Sequence, residues 1–382
     1  MELADDSTTG KPKPMPEPKP KRKRSPFQFG IRFLLILSTV AAFAIAYVSF
    51  RLRTERLQRE TLEAFPGANT QALYDYQVYD PETGKIPGVP PGPQFLKDWF
   101  GKHILANIVQ FRVIGEARSS DSIDLSPLAN LKHLRHLRFE HLDGFKDLKS
   151  MQYAPHLVRL RIEYCSSLKS LTGIEHCTGL EQIEIINSGR LEDIAAIKSL
   201  TNLKQIFISQ RRLPTERDDT PLDDASYLKS MQQLEDLHIS VPHWKTLNGF
   251  EGLTQLKDLT LTEANDLEDA TGMKSLPRLK ILKLLGASSL KQLVIPESAD
   301  LEQVYISGAT SLERIVLAGD QSAIVSLTVL DCPNLEGLDE LEDCPNLRHV
   351  RISKVQRLID AAAEAPFENR GIRFEYDEPI SD

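Results

Sequence analysis

Arg112, Arg138 and Arg161 recur at nearly even intervals along the chain. Guanidinium groups stacked in this way offer planar forks of donors to a carboxylate or a phosphate. Glu140 and Glu163 stand two residues after the second and third of them. The same set therefore also reads as an Arg–Glu ladder that neutralises itself across strands, and both readings stand. Further along, Phe207, His238, Ile281, Lys283, Leu285 and Tyr305 give the middle of the chain an aromatic and apolar character. Exposed aromatic side chains are plausible anchors for a protein partner. His133, His136 and His141 invite a metal reading, but ligands must converge on one point, and this spacing spreads them over a strand and a turn. The sequence has no G-x-S-x-G, P-loop or H-E-x-x-H motif, and no carboxylate pair stands out as a general acid and base. The chemistry expected is recognition: no enzymatic activity, no cofactor and no metal.

A repeat makes these positions equivalent. The pattern L-x-x-L-x-L, with Ile, Val or Phe allowed, begins at Leu134, Leu157, Leu180, Leu203, Leu234, Leu256, Leu279, Leu301, Ile324 and Leu347, with degenerate copies near Ile108 and Ile372. Successive copies are 22 or 23 residues apart, except for 31 between Leu203 and Leu234. These are identified as leucine-rich repeats, whose period is about 20–29 residues. Side chains alternate along a strand, so the fourth and sixth positions point inward and the third, fifth and seventh outward. The fifth-position column reads Arg112, Arg138, Arg161, Glu184, Phe207, His238, Thr260, Lys283, Tyr305, Thr328, Arg351 and Arg373. One repeat cannot bury its leucines alone, but stacked neighbours can. The expected fold is an α/β solenoid over residues 106–376, a horseshoe or arc with a parallel concave sheet. Twelve strands at about 4.8 Å spacing give an arc of roughly 50 Å. So short a period leaves little room for a helix, and predicts 3₁₀ turns and extended segments on the convex side.

Leu125–Phe139 (LSPLANLKHLRHLRF) resembles the short internalin-type repeat. The ninth position departs from that pattern: where the family usually has Asn, this chain has Cys165, Ser188, Ala264, Ala287, Ala309 and Cys332. Small side chains there read as buried residues of a tight turn. Cys165/Cys177 and Cys332/Cys344 are each twelve residues apart, about half a coil. A bridge needs Cα atoms within about 7 Å, so free thiols are favoured over disulfides. The long interval after Leu203 places extra residues between Ser209 and Pro221, either a loop beside a binding surface or a tolerated decoration.

Net charge is −8, which argues against a general nucleic-acid binder, yet residues 1–32 carry eight Lys/Arg against four Asp/Glu. Residues 1–30, rich in Pro and Lys, cannot bury enough apolar area to order themselves and read as a disordered tail. Lys21–Arg24 is either a basic localisation patch or a membrane flank. Phe33–Phe50 holds no charged residue. Eighteen helical residues rise about 27 Å, close to the hydrocarbon thickness. Residues 31–50 are thus read as a single transmembrane helix, the alternative being a signal peptide cleaved near Ala42–Ala46. Basic residues are denser before the span than after it, which predicts a cytoplasmic N-terminus and a body outside the cytoplasmic membrane. Ser38, Ala42 and Ala46 form a small-residue row, weak support for a homo-oligomer. Residues 51–105 read as a juxtamembrane helix, a hairpin turning at Asp80–Gly84, and an N-terminal cap. Phe95, Leu96, Trp99 and Phe100 are expected to seal the first repeat. Val355–Phe367 is the candidate C-terminal cap, and 377–382 a short tail.

The basic tail, FQFGIRFLLIL, the Arg/Gln/Glu-rich helix, YDYQ and PPGPQFLKDWFGKHILANIVQFRV, followed by short repeats, are similar to a group of planctomycete-type membrane-anchored repeat proteins over nearly the whole chain. That resemblance implies no activity. Two functions follow. One is an anchored solenoid offering its concave surface to a protein, peptide or glycan. The other is a structural envelope component that associates with itself and has no dedicated ligand.

Overall fold

The computed structural model describes residues 30–65, 68–77, 88–115, 124–144, 146–188, 191, 194–209, 225–241, 243–319, 323–341, 344–355, 367 and 370–376. The basic tail, the 80–84 turn, most of the insertion after Ser209, the middle of the C-terminal cap and the last six residues lie outside them. The chain divides into two compact units, Met1–Arg51 and Leu52–Asp382.

In the first unit the described residues are helical from Ile31, the start of α1 (Ile31–Glu63). This helix is long and apolar enough to cross a membrane. Its hydroxyls do not stand against that, because Ser38 and Thr39 donate to the Leu35 carbonyl at 2.9 and 2.8 Å. Such back-bonding hides a donor inside its own helix.

The second unit is the solenoid. β1 (Ala68–Tyr74) lies antiparallel to β2 (Ile108–Gly115). Parallel strands follow, one per coil: β3 (His136–Glu140), β4 (Arg159–Glu163), β5 (Gln182–Ile186), β6 (Gln205–Ser209), β7 (Asp236–Ser240), β8 (Asp258–Thr262) and β9 (Ile281–Leu285). After β10 (Gln292–Ile295), the sheet resumes with β11 (Gln303–Ser307). Past β12 (Arg314–Leu317) it ends with β13 (Ser326–Leu330), β14 (His349–Ser353) and β15 (Arg373–Tyr376). Most connections on the opposite side are single 3₁₀ turns such as Ser126–Asn130, Lys149–Tyr153 and Ser226–Ser230. The exception is a small back sheet, β10 paired in parallel with β12. The architecture is that of a leucine-rich repeat solenoid.

Fourth- and sixth-position side chains fill the core: Leu259, Leu261 and Leu282 are fully buried, and Leu284 nearly so. The ninth-position residues are buried too, and all four cysteines are free and buried. Cys165 Sγ lies 3.4 Å from the Glu163 carbonyl, and Cys332 Sγ 3.3 Å from that of Leu330. Burial pushes the Cys165 and Cys177 thiols up to about 12. The eighth position carries a regularity of its own, with Gly286 and Gly308 also at positive φ. His141, Tyr164, Asn187, Glu263, Asp331 and Lys354 all have φ between 48° and 55°. Left-handed backbone bends the chain out of each strand while its N–H still reaches the next coil, as in His141 N–H to Glu163 O at 3.0 Å.

The N-terminal seal is not the expected one. On α2 (Gln94–Phe100), no residue is buried. The end of the first coil is closed instead by the last turns of α1 and by β1. Phe65 packs its ring 5.6 Å from that of Phe111. Gln58 donates to Ala106 O at 3.4 Å and accepts from Ile108 N–H at 3.1 Å. Thr61 donates to Pro127 O at 3.0 Å and accepts from Asn130 at 3.2 Å. The open end of a sheet needs partners for its polar backbone as well as apolar cover, and on α2 Gln94 donates to Asp98 of the same helix instead. The strand expected as a hairpin arm forms earlier in the chain and pairs with β2. At the far end, β14 pairs Arg351 with Glu375 and His349 with Arg373. Arg373 therefore belongs to the third-position column, two residues from the expected register. Val355 and Phe367 are both fully buried.

Candidate functional site

The outward residues of the sheet form one continuous face, and sheet register fixes which of them meet. Its first third is a ladder of ion pairs. Arg112 grips Glu140 with two bonds of 2.6 Å. Arg138 lies between Glu140 and Glu163, the latter at 2.8 Å. Arg161 continues from Glu163 to Glu184, 2.7 Å away. Glu140 and Glu163 are only 7% exposed, whereas the arginines keep about a third of their side chains in water. Burial raises the Glu140 carboxyl, but the Arg112 hydrogen bond and the charges of Arg138 and Arg112 outweigh it, and its pKa ends below the usual carboxylate value. The three arginines are thus engaged by the chain's own carboxylates. A cavity of about 210 Å³ lies over this stretch, lined among others by His136, Arg138, Arg161 and Glu184.

The middle of the face is different. Phe207, His238, Ile281 and Lys283 line one cavity of about 520 Å³, within the usual range for a ligand pocket, about 300–1,000 Å³. Phe207 and His238 face each other across β6 and β7 with ring centroids 4.3 Å apart. Burial, and then the charge of Lys283, hold the His238 pKa below the ordinary imidazole value. Leu285 and Tyr305 do not line the cavity. Tyr305 stands beside Lys283 in the β9–β11 register, and Leu285 beside Ser307.

Two residues passed over in the sequence complete the cavity. Asp236 and Asp258 are partners in the β7–β8 register and line its wall. Gln205 donates to Asp236 at 2.7 Å. Asp258 is held above the usual carboxylate value, first by burial and then by the charge of Asp236 and a hydrogen bond shared with it. A third-position column read as Gln182, Gln205, Asp236, Asp258 would have exposed the pair. The cavity so assembled has an aromatic wall, a neutral imidazole, two crowded carboxyls and one exposed ammonium. It can hold a side chain by apolar contact and hydrogen bonds. Among the described residues, no group of three or more His, Cys, Asp or Glu is placed to hold a metal ion.

No protein-family model matches the sequence, and no curated protein matches it. Several solved structures resemble it. An internalin C2 from Listeria monocytogenes is 16% identical, with 59% of this chain and 83% of that one covered and a TM-score of 0.36. An internalin from the same organism, internalin F, is 16% identical, covering 68% and 71%, with a TM-score of 0.35. A leucine-rich repeat protein of Leptospira interrogans is 13% identical, covering 75% and 93%, with a TM-score of 0.28.

Proposed function

We propose that this chain is a non-catalytic interaction module. α1 anchors it in the cytoplasmic membrane, the N-terminus stays in the cytoplasm, and the repeats stand outside. The middle of the open face receives a segment of a protein or peptide. The observation that carries this reading is the cavity built on Phe207, His238, Asp236 and Asp258, where aromatic and polar groups converge on one face. The Arg–Glu ladder beside it supports the same site by contrast, since its charges are already satisfied.

Capture from an envelope extract on the full chain in detergent tests the reading. A saturable partner, lost with Phe207→Ala plus His238→Ala and kept with Thr328→Ala, is expected. Self-association with no foreign partner would favour the structural role instead. A reporter that works only after export, fused after Asp382, should be active; activity of a cytosol-only reporter there would reverse the topology.

A further inference from the structure

Outside the span, the exposed large apolar side chains among the described residues are Val89, Phe95, Trp99, Tyr153 and Tyr164. Three of these five, Val89, Phe95 and Trp99, fall within eleven residues of chain. Phe95 is 56% exposed, Trp99 76% and Val89 80%. Phe95 and Trp99 are four apart on α2 and so share a face, their ring centroids 6.3 Å from each other. They seal nothing in the solenoid, as the first coil is closed by Gln58, Thr61 and Phe65.

Their place in the chain suggests what covers them. α2 ends at Gly101, where an added Cβ would lie 3.8 Å from Glu55 Oε1. Glu55 follows Phe50, the last residue of the uncharged stretch, by five positions. Five residues reach at most about 18 Å in any conformation, so the end of α2 is tied close to the bilayer edge if Phe33–Phe50 spans it. Trp settles at the level of the lipid headgroups, and Trp with Phe makes the apolar face of segments that lie in the headgroup–acyl boundary. Lys97 and Lys102 stand beside them against the single carboxylate of Asp98, a net positive charge that suits a segment lying on anionic lipid.

We propose that α2 is a second membrane contact, inserting Trp99 and Phe95 into the headgroup–acyl boundary of the bilayer that α1 crosses. The inference rests on the anchor reading above. The occupant is lipid, and the contact steadies the base of the solenoid against the membrane.

The full chain, reconstituted in vesicles of phosphatidylcholine and phosphatidylglycerol, tests it. The chain has two tryptophans, and Trp244 is 2% exposed in the core, so changes in accessible emission belong to Trp99. Lipids brominated near the headgroup end of the acyl chain should quench Trp99, and aqueous iodide should not. Trp99→Phe should abolish the lipid quenching, and Lys97→Glu with Lys102→Glu should reduce it. Trp99 emission open to iodide would overturn the proposal. Emission shielded from both quenchers would also overturn it, since protein and not lipid would then cover the ring. Flotation separates the two readings. A chain that fails to float with the vesicles refutes the anchor itself, whereas one that floats with Trp99 open to iodide refutes only the contact by α2.

Discussion

Phe65→Ala should unzip the start of the solenoid while leaving its middle intact. Phe65 is 5% exposed and packs its ring, tilted by 49°, against Phe111, which is fully buried. Truncating a buried Phe costs about 3–5 kcal/mol. The lower end applies here, because an end cap can relax toward solvent. Gln58→Ala would take the side-chain partner from Ile108 N–H, at about 1–3 kcal/mol for a buried donor. The double variant should therefore lose about 4–6 kcal/mol, allowing for coupling between neighbours. Each repeat contacts only its neighbours, so the loss is local: the first coils fray while distant ones hold. Hydrogen exchange on the chain from Leu52 onward reads this directly. Amides of β2 and β3 should lose protection, and those of β8 and β9 should keep it. Phe95→Ala and Trp99→Ala should leave β2 unchanged. Unchanged exchange in β2 on Phe65→Ala, or loss there on Trp99→Ala, would refute the assignment of the cap.

The alternation of inward and outward positions predicts that Leu259→Ala costs about 2–5 kcal/mol in urea unfolding, while Lys283→Ala changes stability by less than about 0.5 kcal/mol; equal losses would mean the register is wrong. The pKa of His238 is depressed in the folded state, so the unfolded chain binds its proton first as pH falls below about 6.5. Stability should drop across that interval, and His238→Gln should flatten the drop in a pH series of denaturation midpoints. Glu140 contributes stability above the unfolded carboxylate range that is lost as pH falls through its depressed folded pKa, so Glu140→Gln should remove part of the acid limb of the same series. Native protein should resist thiol alkylation at Cys165, Cys177, Cys332 and Cys344, and unfolded protein should take four adducts by mass; a Cys165–Cys177 bridge would contradict the buried free thiols.

Position within a repeat was legible because it is a local matter. Leu259 and Lys283 declare their directions by alternation, and the repeat period alone puts Arg112, Arg138 and Arg161 in one column. What joins distant segments was not legible. Phe95 and Trp99 looked like a cap because apolar rings next to a first repeat are the simplest cover. The true cap uses Gln58 and Thr61, whose value lies in hydrogen bonds and leaves no trace in hydropathy. Asp236 and Asp258 lie 22 residues apart in the sequence and meet only through the β7–β8 register, so nothing local marks them as a pair. The left-handed residues were hidden for a related reason. Gly286, Gly308, Asn187 and Asp331 suit that backbone, but Tyr164, Glu263 and Lys354 do not, so the column mixes types and masks the demand. The back sheet of β10 and β12 likewise comes from packing, as its segments have no distinctive alternation.

The reversal of β1 against β2 sets a limit on growth. A run of parallel strands has translational symmetry, and its last strand offers the same hydrogen-bonding edge that its first strand would accept. Copies of such a body could in principle stack head to tail into an open filament. β1 breaks that symmetry at one end, because a strand of opposite polarity now stands where a parallel edge would be. A second copy arriving with β15 in the same orientation would lie antiparallel to β1, so any pairing there would be antiparallel and the parallel coil-to-coil register could not continue across the junction. A single turned strand thus breaks the run of parallel pairs at that end, in the way that a reversed brick breaks a course.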